Sequence, residues 1–190
     1  MSKMKGLLLA STLCCLFGAS SCLRAQQPAA ASSSGQATPA ATYNKLLGIM
    51  EKQIVDAADA MPADKYNFAP TQGDFKGVRT FGDQVKHLAE ANYEFFDGWN
   101  VPGSVDPKTI EKLTSKDDIM KALRDSYTYA HAAMETITAE NAFTQMGEHK
   151  ATRAGMSAFC VAHSMDHYGQ MVVYLRMNGI VPPASRQSGM

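Results

Sequence analysis

The chain has 190 residues, of which 45% are hydrophobic and 19% are charged, and its 18 basic side chains balance its 18 acidic ones. This composition excludes a disordered polar chain and predicts one ordinary globular domain. The neutral balance and the five histidines give no signal for a nucleic-acid partner, an anionic membrane surface or a histidine-rich metal-storage tract. Any function must therefore come from a local site.

The N-terminus has the pattern of a secretory signal peptide. Two lysines precede an uncharged apolar run over residues 6–18 that is too short to span a bilayer, and small residues follow it. Cleavage has two candidate positions, because the sequence ending at Cys22 resembles a lipobox, whereas Ala25 suits an ordinary signal peptidase. The first would leave a lipid anchor on Cys22, and the second a soluble protein. We therefore expect residues 1–25 to direct export to the periplasm or the medium, with membrane contact only through the signal peptide or such an anchor.

A flexible linker is expected to separate the signal peptide from the folded part. Residues 26–41 contain no charged and no aromatic side chain, so they cannot bury enough surface to offset the entropy lost on ordering. The folded domain is expected over residues 42–183, with a tail over residues 184–190. After cleavage at Ala25 only Cys160 remains, which excludes an intramolecular disulfide even in an oxidising compartment.

Helical periodicity runs through the whole of this folded part, without the sustained alternation that marks a strand. Four stripes of mainly apolar residues, spaced three or four apart, predict four amphipathic helices. Such helices bury their apolar faces against one another, so we predict an all-α fold, a four-helix bundle. The stripes are Leu46, Met50, Ile54, Ala57 and Met61; Phe81, Val85, Leu88, Asn92, Phe95 and Trp99; Ile119, Leu123, Tyr127, Ala130, Met134 and Ile137; and Met156, Phe159, His163, His167, Gln170 and Tyr174.

Capping residues and loop lengths refine this bundle. Thr80, with Asp83 three residues later, is the predicted N-cap of the second helix. The connections over residues 62–79 and 100–114 are long, whereas residues 147–151 form a short one. We therefore predict a tight hairpin between the third and fourth helices, and long loops that cover one end of the bundle.

Polar residues occupy the stripe of the fourth helix, where apolar core residues are expected. His163 and His167 are four residues apart, so both rings project from one helix face within reach of a single cation, and Gln170 follows on the same stripe. His87 lies at the inner edge of the second stripe and supplies a third imidazole. Three neutral imidazoles are a sufficient ligand set for a divalent first-row metal, with a coordination position left for water or substrate.

Each ligating imidazole needs a hydrogen-bond acceptor for its second nitrogen, and the nearby candidates are Asp166, Glu90 and Gln170. Spacing alone leaves an alternative, in which the same histidines form a hydrogen-bonded polar network in the core and bind no metal. The two remaining histidines, His131 and His149, lie off the stripes and are expected at the surface.

Three segments, in the right order, resemble the DinB-like superfamily. Residues 81–93, FGDQVKHLAEANY, are similar to its second helix, and residues 163–170, HSMDHYGQ, resemble its H-x-x-x-H-x-G-Q motif. Residues 62–70, PADKYNFAP, resemble the stretch that follows its first helix. Together they extend the resemblance over essentially all of the expected folded domain.

This resemblance implies a DinB-like four-helix bundle with a three-histidine site, carried here by His87, His163 and His167. Zinc and nickel are the implied metals, and a homodimer is the implied assembly. Some members of the family are similar to thiol-dependent S-transferases and isomerases, in which the metal would hold a low-molecular-weight thiol as its thiolate.

Export would separate the chain from the mainly cytosolic thiols, which favours metal-dependent hydrolysis of a small-molecule substrate as the second reaction type. Glu90, Asp166 and Tyr93 are the candidate acid or base groups. A cavity beside the imidazoles that is lined by Tyr93, Trp99 or Tyr174 would favour an enzyme. The alternative is a non-catalytic exported bundle that uses the metal or a partner for a structural or stress-related role.

Overall fold

The computed structural model describes residues 37–146 and 151–186. The expected signal peptide with Cys22, most of the expected linker, and His149 lie outside these residues. No helix in the described part of the chain has both the length and the apolar character needed to cross a membrane. In chain order the elements are α1 (Pro39–Ala60), a 3-10 turn (Ala63–Lys65), α2 (Phe81–Phe95), α3 (Pro107–Glu111), α4 (Lys116–Glu135), β1 (Gln145–Met146), β2 (Ala151–Thr152), α5 (Arg153–Met177) and a second 3-10 turn (Pro183–Ser185).

The four long helices form the predicted bundle. α1 packs against α4 and α5, and α2 packs against the same two helices, so α4 and α5 lie diagonally across the core from each other. One apolar cluster fills the space between the helices. Its largest fully buried side chains are Tyr127, Phe81, Phe96, Leu47, Ile54, Met61, Leu88, Leu123, Met134, Met171, Leu175 and Val85. The prediction of an all-α, four-helix fold is confirmed.

An N-terminal cap sets where α2 begins, and it thereby sets the position of the histidine on that helix. The backbone N–H of Asp83 donates to Thr80 Oγ1 at 3.1 Å, and the N–H of Thr80 donates to Asp83 Oδ2 at 3.4 Å. This is the predicted cap, in its reciprocal form. The next turn contacts the preceding loop so closely that a Cβ at Gly82 would lie 3.2 Å from the carbonyl oxygen of Tyr66, so glycine is needed there.

The first helix begins earlier than expected, and its buried face differs at one position from the predicted stripe. α1 starts at Pro39, three residues before the expected domain boundary at residue 42. Leu46, on the predicted stripe, is 43% exposed, whereas its neighbour Leu47 is fully buried. The rest of the stripe is buried as predicted. Leu46 and Leu47 both fit a helical step to Met50, so spacing alone cannot choose between them.

The predicted tight hairpin between the third and fourth helices is wrong. These helices, α4 and α5, are joined by residues 136–152 and lie diagonally in the bundle. The connection contains the antiparallel strands β1 and β2, in which Gln145 pairs with Thr152 and Met146 with Ala151. Strands of two residues are too short to produce the alternation that predicts a strand. A five-residue helix in the second long loop, α3, was likewise not predicted.

His131 joins α1 to α4 and is more buried than expected for a surface residue. Its Nδ1 lies 2.6 Å from Asn44 Oδ1, and its Nε2 lies 3.1 Å from Glu51 Oε2. Asn44 Nδ2 donates to Glu135 Oε1 at 2.6 Å, which leaves Asn44 Oδ1 as the acceptor that faces His131. Both ring nitrogens of His131 therefore face oxygen acceptors within the protein.

Candidate metal centre

In the first half of helix α5 the buried residues are small, whereas Met171, Tyr174 and Leu175 fill the core near its end, and the two histidines lie beside the small residues. The stripe predicted for this helix is only partly buried, because Phe159 is 56% exposed and His163 is half-buried, whereas His167 is 6% exposed. Large apolar side chains mark a stripe in the sequence, but small ones occupy the closest helix contacts here. The histidines therefore lie at the edge of the core, in the groove between α5 and α2. The buried small residues of the core face include Ser157, Cys160 and Ser164.

The three predicted histidines come together in this groove. His87 extends from α2, and His163 and His167 extend from α5. His163 Nε2 lies 3.2 Å from His87 Nε2 and 3.2 Å from His167 Nε2. With zinc–nitrogen bonds of about 2.0–2.1 Å, a tetrahedral site separates its nitrogens by about 3.3 Å and an octahedral one by about 2.9 Å. Two of the three Nε2 separations thus match those around a single divalent ion, and all three ligand atoms lie within 4.8 Å of one another; we call these three residues the histidine centre.

A chain of amides fixes which nitrogen of His167 carries the proton. The carboxylate of Asp166 accepts from Gln170 Nε2 at 2.9 Å, and Gln170 Oε1 accepts from Gln84 Nε2 at 2.8 Å. Gln84 Oε1 is then the acceptor that faces His167 Nδ1, at 2.5 Å. A carboxylate only accepts, so each amide has one orientation, and the chain ends with His167 Nδ1 as a donor. The lone pair of His167 Nε2 consequently points into the histidine centre.

Gln84 is the functional residue that the sequence did not reveal. It is 3% exposed and makes the direct contact with His167, whereas Asp166 and Gln170, two of the predicted acceptors, are linked to that histidine by hydrogen bonds through Gln84. In the sequence, the only indication of this role was a glutamine near the apolar stripe of the second helix, about one turn before His87. Its partner lies on another helix, so spacing along the chain gave no means of pairing the two.

His87 has a different neighbour on its outer nitrogen. Arg79 Nη2 lies 3.4 Å from His87 Nδ1. A guanidinium only donates, so this contact requires His87 to keep its proton on Nε2, the atom that faces His163. Metal binding through Nε2 would need the other tautomer, and this long contact would then be lost.

Hydrogen bonding alone does not satisfy the three facing nitrogens. His87, protonated on Nε2 by the contact with Arg79, donates to His163, so His163 Nε2 acts as an acceptor. His163 then presents a lone pair to His167 Nε2, which also carries a lone pair, at 3.2 Å. A cation removes this conflict, because all three lone pairs can point at it. The geometry therefore suits a bound metal better than the alternative of a polar core network.

The surroundings keep the histidine centre neutral. Burial, then the nearby Arg79 and His163, lower the pKa of His87 to about 4. Burial, then the other two imidazoles, lower the pKa of His167 to about 4, and burial also lowers the pKa of His163. All three rings are consequently unprotonated at pH 7, which is the state in which an imidazole binds a metal.

Glu90 lies one turn after His87 on α2 and is half-buried. Burial, with the carboxylates of Glu111 and Glu94, raises the pKa of Glu90. A carboxyl group with a raised pKa is suited to accepting and returning a proton near neutral pH. Of the predicted acid or base candidates, Glu90 therefore has the most suitable surroundings.

The predicted aromatic residues divide between the two sides of α2. Tyr93 lies on the side of α4, where its ring is 4.9 Å from that of Tyr129, so it is not placed to line the histidine groove. Trp99 lines a cavity of about 440 Å³ beyond the end of α2. This cavity meets the histidine centre at Phe95, whose ring lies 5.1 Å from that of His163.

Tyr174 lines a second cavity, of about 700 Å³, between α5 and the loop before α2. Arg79 and Gln84 also line it, and they contact His87 and His167 respectively. The hydroxyl of Tyr174 donates to the carbonyl oxygen of Arg79 at 3.1 Å, which ties the loop to α5. The histidine centre thus lies between two cavities.

Cys160, the free cysteine of the described residues, takes no part in the histidine centre. It is fully buried on the core face of α5, where its Sγ donates to Asn92 Oδ1 of α2 at 3.5 Å. Burial raises the pKa of the thiol to about 12, so it is neither a nucleophile nor a metal ligand at neutral pH.

Fold and site together define a class of protein: a four-helix bundle in which two helices bring three histidines together. The chain belongs to the DinB superfamily, whose sequence profile matches residues 47–171 and so includes all three histidines. Among solved structures, the chain is similar to a DinB-like protein from Bacillus cereus ATCC 10987, with 18% identity and a TM-score of 0.62 over 74% of this chain and 93% of that one. At this identity the likeness shows the fold alone. No curated protein sequence matches the chain.

Proposed function

We propose that the protein is a metal-dependent enzyme that acts on a small molecule by thiol-dependent transfer or by hydrolysis. The convergence of three histidine Nε2 atoms, with His163 3.2 Å from both neighbours, is the observation that supports it. Zinc and nickel both suit imidazole ligands. His87 and His163 are only half-buried, so a coordination position stays open to the groove for water or substrate.

When bound, a divalent cation would lower the pKa of a thiol or water molecule in contact with it. The chain's own residues supply the remaining parts. The amide chain holds His167 in one orientation, and Glu90, one turn after His87 on α2, would take up a proton released in the groove. Phe95 and Phe159 flank His163, at ring distances of 5.1 and 6.3 Å, and shield that side from water.

Metal content tests the first half of this proposal. Untagged protein, purified and then exposed to zinc or nickel, should carry one divalent ion per chain by inductively coupled plasma mass spectrometry. His87→Ala and His163→Ala should lose the ion, and His131→Ala, which removes a histidine outside the centre, should keep it. Wild-type protein that takes up neither metal would sink the proposal.

A second function is favoured by the position of the histidine centre, because a metal held between α2 and α5 would tether two helices. In that case the protein is a non-catalytic bundle with a structural or stress-related role. Thiol transfer to an activated aryl halide and hydrolysis of nitrophenyl esters separate the two functions. Turnover that is lost with a chelator and reduced in Glu90→Gln, at unchanged metal content, supports the enzyme. Metal-dependent stability without turnover supports the second function.

Export also belongs to this proposal, with release after Ala25 or a lipid anchor on Cys22. The basis is the signal-like pattern of residues 1–25. Cell fractionation and the intact mass of the recovered protein distinguish the two forms, and recovery of the uncleaved chain in the cytoplasm would contradict both. The family resemblance favours a homodimer, which light scattering with and without zinc would test.

A further inference from the structure

A cationic side chain stands beside the histidine centre without an acidic partner. Arg79 Nη2 lies 3.4 Å from His87 Nδ1, and within the described residues no carboxylate oxygen lies within 4.0 Å of its guanidinium. Its backbone is held on both sides, because Tyr174 donates to its carbonyl oxygen and the next residue, Thr80, caps α2. The position of Arg79 is therefore fixed, while its charged head group is exposed and free to bind a ligand.

The charges of the groove favour an anion at this point. Neutral imidazoles add no negative charge, so the three positive charges of a divalent metal and Arg79 would exceed the negative charges of the nearby carboxylates, Glu90 and Asp166. The nearby carboxylate of Asp166 already accepts a hydrogen bond from Gln170. The planar fork of a guanidinium matches the oxygens of a carboxylate or a phosphate. A ligand that reaches both Arg79 and the open position of the centre therefore gains most if its head group is anionic.

The cavity that Arg79 enters has apolar walls. Phe75, Val78 and Val173 line it, and they are 41%, 37% and 52% exposed, so apolar surface is gathered at one place beside Arg79. Its volume of about 700 Å³ is that of a small-molecule site. The polar amides at its inner end, Gln84 and Gln170, are already engaged in the chain that orients His167. The walls thus offer contacts mainly to the apolar body of a ligand.

We propose that this cavity binds a small organic anion, with a carboxylate or phosphate head on Arg79 beside the histidine centre and an apolar body against Phe75, Val78 and Val173. The inference deepens the proposed function and rests on it for the role of the metal, since it names the class of substrate or product. The cavity and Arg79 themselves exist in the protein without a metal.

Isothermal titration calorimetry with three probes of equal chain length tests the proposal. Octanoate and octyl phosphate carry the two candidate head groups, and octanol is the neutral control. Zinc-treated wild-type protein should bind at least one of the anions and not octanol, and the tighter anion identifies the head group. Arg79→Met should weaken anion binding roughly tenfold or more, since a charge-assisted hydrogen bond is lost. Val173→Asn should weaken it by about threefold through lost apolar contact.

Arg124→Met, which removes an exposed arginine of α4, is the matched control and should bind like the wild type. The proposal is overturned if octanol binds as tightly as the anions, or if Arg79→Met and Arg124→Met bind alike. Zinc content measured on the same samples separates the two proposals. Zinc without anion binding removes the anion site alone, whereas Arg79-dependent anion binding without zinc supports the anion site and removes the metal enzyme.

Discussion

Histidines connect two pairs of helices in this bundle: a single one, His131, lies between α1 and α4, and the histidine centre lies between α2 and α5. The two places differ in what the ring nitrogens face. Between α1 and α4, both nitrogens of His131 face oxygen atoms, those of Asn44 and Glu51. Between α2 and α5, the Nε2 atoms of the histidine centre face one another. The first ring has an oxygen acceptor at each nitrogen, so a proton on either nitrogen finds a partner, whereas the second arrangement sets two nitrogen lone pairs against each other unless a cation lies between them. The partner of each ring nitrogen, rather than burial or spacing, thus distinguishes a structural histidine from a metal ligand.

The largest expected difference between His131 and the histidine centre is in the effect of added metal on thermal stability. Zinc at about 1,000 times its dissociation constant would stabilise the native protein by about 4 kcal/mol. Thermal unfolding should therefore shift upward with zinc in the wild type and in His131→Ala, but not in His163→Ala. Scanning calorimetry measures these shifts. An upward shift with zinc that persists in His163→Ala would contradict the assignment of the histidine centre as the metal site.

The orientation of His167 gives the next largest effect. Gln84→Leu removes the acceptor from His167 Nδ1 and should weaken zinc binding by about 10- to 100-fold. Gln84→Glu keeps an acceptor at that place and should restore most of the affinity. Competition with a chromophoric chelator measures the affinity, and Gln53→Leu on α1 is the control. Equal affinities for Gln84→Leu and Gln53→Leu would show that the amide chain does not position the ligand.

In the metal-free protein, His131 should contribute more to the free energy of unfolding than His163. His131→Ala leaves the acceptors on Asn44 and Glu51 unpaired and should lower the free energy of unfolding by about 1–2 kcal/mol. His163→Ala relieves the contact between two lone pairs and should cost less than about 1 kcal/mol in the metal-free protein. Urea unfolding in the presence of a chelator compares the two variants. A larger loss for His163→Ala would favour a hydrogen-bonded network over a metal site.

The smallest effect concerns the cap of α2 and depends on pH. Although partial burial opposes it, hydrogen bonds from Thr80 and Lys86 hold the pKa of Asp83 below its ordinary value of 3.8. A depressed pKa stabilises the fold above the unfolded value, and that contribution is lost as the pH falls through the folded value. Asp83→Asn should cost about 0.5–1 kcal/mol at pH 7, the lower part of the range for caps because the carboxylate is partly exposed, and less at an acid pH below the ordinary value of 3.8.

Urea unfolding at both pH values measures this difference. Asp97→Asn, which changes an exposed acid outside the helices, should have no effect at either pH and serves as the control. A cost for Asp83→Asn that is equal at the two pH values would mean that the charge does not contribute to the cap.

The sequence predicts the buried face of a helix well where only one set of large apolar residues has helical spacing. The third stripe, which forms α4 and the turn after it, is buried at every predicted position, and its neighbours Met120 and Tyr129 are buried as well, which widens the buried face without displacing the stripe. In α1, Leu46 and Leu47 compete, and in α5 the small core residues leave the larger Phe159 outside. The diagonal relation of α4 and α5 was not predictable, because loop length limits but does not determine which helices are neighbours.

The candidate site shows the same division between local and distant information. His163 and His167 were predicted because their i, i+4 spacing is a property of one helix. Gln84 was missed, and Tyr93, named as a candidate pocket residue, packs against Tyr129 of α4, because both positions depend on how α2 is rotated against its neighbours. The spacing of residues within one helix could be predicted from the sequence, whereas contacts between helices required the structure.

Cys160 is an internal probe of how often the bundle opens. Alkylating reagents attack the thiolate, and burial together with the raised pKa of about 12 protects this thiol while the bundle is closed. Its rate of alkylation therefore counts how often the bundle opens. The thiol lies on α5 and its hydrogen-bond partner Asn92 lies on α2. The alkylation rate of Cys160 therefore reports how often α2 and α5, the two helices that the histidine centre joins, separate, and no added label is needed.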